Sequence, residues 1–153
     1  MELNDVVRLR GHIEAELRDV LGNVVSRSVE NTVVTAGRAW VLKQIASSVI
    51  DTARSISHIA IGTGTAAPAT SDSGLGSETT RSAIGTFTTS NLSSNPPSWR
   101  AEVSFATNEG NTTLAEAGLF NSSAAGTMLA RGTFSTINKT TSNTLTIRYT
   151  ISN

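Results

Sequence analysis

The segment "NTLTIRYTI", residues 143–151, alternates without a break. Leu145, Ile147, Tyr149 and Ile151 fall on one face, and Thr144, Thr146, Arg148 and Thr150 on the other. A period of two belongs to an extended strand, because a helix with its longer period would scatter the apolar set around its circumference. One face must be dry and the other wet, so the segment needs sheet neighbours on both sides and a second layer over its apolar face. The same pattern recurs near the start of the chain. Ile13, Ala15 and Leu17 alternate with His12, Glu14, Glu16 and Arg18. Gly22-Asn23 supplies a turn, since both residues accept positive φ at low cost, and Val25, Arg27, Val29 and Asn31 form a weaker return strand. This predicts an N-terminal hairpin.

Further strands are predicted in the apolar run Ile56–Ile61 and at Trp99–Phe105, Thr112–Phe120 and Met128–Phe134. "NEGN", residues 108–111, reads as a turn, and Pro96-Pro97 marks the preceding stretch as loop. One helix stands out. Thr35 is placed to cap it, and Leu42, Ile45, Ala46 and Val49 follow at i, i+3, i+4 and i+7, with Trp40 and Val41 widening the stripe. The expectation is a single domain over residues 1–153, mainly β with one amphipathic helix, built as a β sandwich or α+β sheet of antiparallel strands. It divides into a hairpin at 1–34, a helix at 35–50 and a β-rich body at 56–153, with long loops at 62–80 and 88–98. Roughly a quarter of the chain is Ser or Thr, and β-branched threonine suits half-exposed strands.

Several kinds of chemistry are disfavoured by composition. Twelve basic residues balance twelve acidic ones, so there is no electrostatic reason to expect nucleic-acid binding. The absence of cysteine removes disulfides, thiolate metal sites and cysteine catalysis. "MELNDVVRLR" lacks the apolar core of a signal peptide, and no apolar run approaches membrane-spanning length, so a soluble chain is expected.

Gly62, Gly64 and Ala67 have the G-x-G-x-x-A spacing of a dinucleotide-binding turn. Such a turn requires a helix whose N-terminus faces the pyrophosphate, and here "TAAPATSDSGLGSETT" follows, with Pro68 where the helix should be under way. The glycines read instead as a strand ending in a polar loop. His12 and His58 have no G-x-S-x-G elbow to serve and no metal-ligand spacing. Glu14 and Glu16 share a strand face that reads as solvated. No catalytic, cofactor-binding or metal-ligating residue is assigned.

From His58 onward the chain resembles the N-terminal domain of tailed-phage tail-collar fibre proteins, over about two thirds of its length. The resemblance rests on "HIAIGTG", "LGSETTR", "EAGLF", "LARG" and the lysine before the last strand, and its positions are Gly62, Gly64, Pro68, Leu75, Glu78, Arg81, Glu116, Gly118, Leu119, Phe120, Leu129, Lys139 and Leu145. It implies a non-enzymatic structural protein of a phage virion, made in the host bacterial cytoplasm. Its place would be as a tail, collar or baseplate adaptor, joined to other virion proteins as a homo-oligomer, trimer or ring, with no nucleic acid, membrane or small-molecule partner and no cofactor. Family members carry this domain at the head of a longer fibre, and the hairpin at 9–34 departs from a typical fibre start. Capsid decoration is an alternative. A β-rich carbohydrate-binding or adhesion module is another, although aromatics make up only 5% of the chain and leave Trp99 and Tyr149 as the main stacking candidates.

Two expectations concern particular residues. The loop Thr63–Thr80, small-residued and nearly uncharged, has little to hold it in isolation and is expected to contact a neighbouring subunit. In "TLAEAGLF", period two puts Leu114, Glu116, Gly118 and Phe120 on one face and Ala115, Ala117 and Leu119 on the other. A carboxylate between Leu114 and Phe120 should be at least half buried and needs a partner. Arg81 is the first choice, with Lys139 or Arg131 as alternatives.

Overall fold

The computed structural model describes residues 8–46 and 55–153. Within them lie β1 (Arg10–Asp19), β2 (Val24–Val33), α1 (Thr35–Ala46), β3 (His58–Gly62), β4 (Glu78–Ala83), β5 (Thr86–Thr88), β6 (Ser98–Phe105), β7 (Thr113–Phe120), β8 (Met128–Asn138) and β9 (Asn143–Ser152). The strands form one antiparallel sheet in the order β4-β3-β7-β8-β2-β1-β9-β6-β5. The expected fold, mainly β with one helix after an N-terminal hairpin, is the one observed.

The sheet curls over itself. At the β2–β8 seam only Thr32↔Arg131 and Val33↔Ala130 pair, so the strands part there and one half of the sheet folds across the other. On the opposite side, β4 and β5 are consecutive pieces of one segment. Between them Ile84 N–H donates to Ser57 O and Gly85 N–H to Glu102 O, which ties the β3 side to the β6 side. The apolar faces meet inside: Ile13, Leu17, Val103, Phe105, Leu145 and Ile147 from one half pack with Ile59, Ile61, Leu114, Leu119 and Ile137 from the other. Tyr149 crosses this core and donates its hydroxyl to Ala117 O at 2.6 Å. A buried phenol needs such a partner.

The hairpin turns where Gly22 takes φ 85°. The Asp19 carboxylate accepts from the amides of Leu21 and Asn23, each at 2.9 Å, so the turn is held by its own side chain. Three local expectations are corrected. Val34, not Thr35, takes the N-cap position of α1, because Val34 O accepts from Arg38 N while Val34 N–H is held by Leu129 O. The helix faces the sheet through Gly37, Trp40, Val41 and Gln44, and it leaves Leu42 and Ile45 exposed at 66% and 78%. Gly37 sets that rotation, since a Cβ there would overlap the Leu129 backbone. Val49 and the expected helix end at residue 50 lie outside the described residues. Finally, β4 begins inside the expected 62–80 loop and β5 reaches Thr88.

Candidate functional site

The glycine turn after β3 is organised around an anion from the chain itself. β3 ends at Gly62, which lies opposite Glu116 of β7. Glu116 Oε1 accepts from Gly64 N at 2.9 Å and Ser77 N at 2.7 Å, and Oε2 accepts from Gly76 N at 2.9 Å. A Cβ at Gly64 would overlap the carboxylate, and one at Gly62 would meet Ser77 O and Glu116 Oε1. Here glycine is needed for close approach. The amides that would cradle a phosphate in a nucleotide site cradle Glu116 instead.

Arg131, from the neighbouring strand β8, completes the arrangement. Its Nε donates to Glu116 Oε2 at 2.8 Å, Nη1 to Asp72 Oδ2 at 2.8 Å and Nη2 to Ala66 O at 3.1 Å. Asp72 Oδ2 also accepts from Ala69 N. Residues 63–77 are thereby drawn over the outer face of β3, β7 and β8. There Leu75 packs against Val34, Ala60, Phe120 and Met128, and the loop's cover explains why β7 is buried on both faces from Leu114 to Phe120.

Several expectations about this region change. The partner of Glu116 is the named alternative Arg131, not Arg81. Arg81 instead forks onto Glu78 at 3.0 and 2.7 Å, donates Nη1 to Ser122 O and Ala125 O, and lies 3.6 Å over the Phe120 ring. Leu114 belongs to the main core and not to the Glu116 face, because a register irregularity between Leu114 and Glu116 breaks the alternation. The loop has more to hold it than its composition suggests. Lys139 is also a fastener: its buried ammonium donates to Ala106 O at 2.7 Å and Asn111 Oδ1 at 2.9 Å, clasping the turn between β6 and β7.

The electrostatics follow from these contacts. Burial raises the Glu116 pKa, but the amides of Ser77 and Gly76, the Arg131 guanidinium and the Gly64 amide outweigh it, leaving the carboxyl below its usual range. Asp72 is lowered by the Ala69 amide and by Arg131. Burial pulls Lys139 below the ordinary lysine value, opposed by the charge of Glu109.

The other candidates are placed as follows. His12 Nε2 lies 2.8 Å from Ser28 Oγ and Nδ1 lies 3.3 Å from Glu30 Oε1. This is the connectivity of a serine triad on adjacent strands. It sits on the open outer sheet face, with the Glu30 side chain 78% exposed, and the adjoining depression of about 160 Å³ is small beside a ligand cleft. Such an exposed site offers little exclusion of water. His58 bonds Ser57 Oγ, and its pKa is lowered by burial and by Arg81. Glu14 is exposed, while Glu16 departs from the solvated expectation: hydrogen bonds from Arg18, with help from Arg148, lower its pKa against burial. Tyr149 is wholly buried, so it offers no stacking face. Trp99 lies 6.1 Å from Phe87, and both line a cleft of about 450 Å³ with Trp40. Among the described residues no cluster of metal-ligating side chains occurs.

Asp72 and Gly76 complete the cradle without a motif of their own. Their signal is faint: a carboxylate and a glycine in a loop that must fold back onto a strand. Comparison with protein-family models, characterised proteins and solved structures finds no match to this chain.

Proposed function

We propose that this chain is a non-enzymatic structural protein of a tailed-phage virion, a tail, collar or baseplate adaptor that joins neighbouring components. One observation carries the reading. The polar positions that carry the phage resemblance are used to fasten the chain's own loops: Gly62, Gly64 and Glu116 hold 63–77, Arg81 holds 121–127 and Lys139 holds 106–111. A signature made of fasteners suits a part that must keep a fixed surface. Buried, fully bonded polar groups of this kind rigidify a structure without providing a reactive centre.

Purified particles of the phage that encodes the chain provide the test, through its copy number relative to the major capsid protein. A tail position gives about six to eighteen copies per particle, in keeping with closed ring symmetry. Hundreds of copies would move the assignment to capsid decoration, and absence from the particle would overturn both. The half-exposed Phe87–Trp99 pair favours the carbohydrate-binding alternative, which a glycan array tests: binding abolished by Trp99→Ala would replace the adaptor reading.

A further inference from the structure

Free edges among the described residues include β5, β4, β2 before Thr32 and β8 beyond Arg131, the last facing the register irregularity at Leu114/Glu116, and they are not alike. β5 is three residues long. β4 carries the Glu78–Arg81 ion pair and faces a register irregularity at Ile61/Gly62. Shortness, charge and irregularity are the usual protections against strand addition. β2 is neither short nor irregular over most of its length. It pairs with β1 in unbroken register from Val24 to Asn31, while its other side meets β8 only at Thr32 and Val33. It has no proline and no lysine, and its two charges, Arg27 and Glu30, are of opposite sign.

The direction of the free groups follows from the turn. Asp19 N–H donates to Asn23 O, so the odd-numbered residues of β2 bond across to β1. By antiparallel alternation the N–H and C=O groups of Val24, Ser26, Ser28 and Glu30 point away from the sheet. At the end of this edge the hairpin turn exposes Val20 and Leu21 at 79% and 83%, next to Val24 and Val25 at 44% each. The Ser26 carbonyl is taken by Arg27 Nη1 at 2.9 Å, but the Ser26 N–H and the outward groups of Val24, Ser28 and Glu30, beside four exposed apolar side chains, fit an added strand with apolar cover at one end.

We propose that the β2 edge and the Val20–Leu21 tip form the surface through which two copies of this chain join, edge to edge about a two-fold axis. The inference rests on the assembly reading above and gives it a surface. An antiparallel edge is its own complement under a two-fold rotation, since each donor meets an acceptor of the same edge in the other copy. The chain's net charge of zero sets no long-range repulsion between copies. An isologous contact closes as a pair, so it selects even-numbered assemblies over a trimer.

Sedimentation of the full chain over a range of concentrations tests this. The wild type is expected to reach the mass of a dimer. Ser26→Pro removes one outward N–H and takes no hydrogen bond from β1, and it should weaken association by at least about tenfold while the far-UV spectrum stays unchanged. Leu21→Lys alters only the exposed tip and decides the matter if Ser26→Pro fails to fold. A wild type that stays monomeric overturns the proposal, as does an oligomer that neither substitution weakens. A monomer still found in virions would overturn the edge pairing alone. A dimer missing from virions would overturn the adaptor reading and leave the edge pairing in place.

Discussion

Glu116 and Arg131, fifteen residues apart and on adjacent strands, meet at 2.8 Å with both side chains out of water. The pair is also the anchor of a loop, because three amides from 64, 76 and 77 close on the same carboxylate. Desolvating two charges is costly, and the cost is met here only because nearly every lone pair and proton finds a partner.

Removing one partner strands the other. Glu116→Ala is expected to destabilise the chain by about 3–5 kcal/mol, the usual cost of an uncompensated buried charge. A chemical-denaturation cycle should show strong coupling between Glu116→Ala and Arg131→Ala and near-additivity between Glu116→Ala and Arg81→Ala. Coupling to Arg81 and not to Arg131 would refute the pairing.

Acid should weaken the fold through the same carboxylate. The folded pKa of Glu116 is below its unfolded value, so its contribution is complete above the unfolded value. It is lost as pH falls from about 4.3 through the folded pKa. Asp72 has the same sign. Thermal melts should therefore fall steeply below about pH 4, after a shallower loss that begins below about pH 6.5 as His58, whose folded pKa is also depressed, takes up its proton. Glu116→Gln, already weakened, should lose less on acidification. An equally steep fall in that variant would assign the acid sensitivity elsewhere.

The glycines separate close approach from mere loop composition. Gly64→Ala places a Cβ against the Glu116 carboxylate and should cost about 1–3 kcal/mol as overpacking. Gly74→Ala, ten residues away in sequence in the same loop, meets nothing within 4 Å and should be near neutral. Equal effects at the two sites would contradict the cradle.

How much of this was legible in the sequence depends on the range of the interaction. β9 and the hairpin were readable because period two and a Gly-Asn turn are local facts. The face of α1 was not, since the docking of Gly37 on Leu129 rotates the helix by contact with a distant strand. Pro68 was enough to set aside a nucleotide turn. The actual occupant of the glycine amides lies 52 residues further on, and no local pattern points to it. Burial of Glu116 followed from its neighbours, but the choice among Arg81, Arg131 and Lys139 rested on strand register. The irregularity at Leu114/Glu116 alters that register in a way that alternation cannot foresee.

The lysines offer a simple check on the second fastener. Lys43 and Lys139 are the only two in the chain, one exposed and one buried. Native-state amine labelling should modify Lys43 quickly and Lys139 only when the 106–111 turn opens. Equal labelling of both would remove the clasp.

Amide hydrogen exchange on the free chain tests the central claim, that the glycine turn is a cradle for the chain's own carboxylate. Gly64, Gly76 and Ser77 should be protected in the wild type although they lie in a loop, and all three should lose protection together in Glu116→Gln. Fast exchange at these amides in the wild type, or protection that appears only on adding a nucleotide, would contradict it.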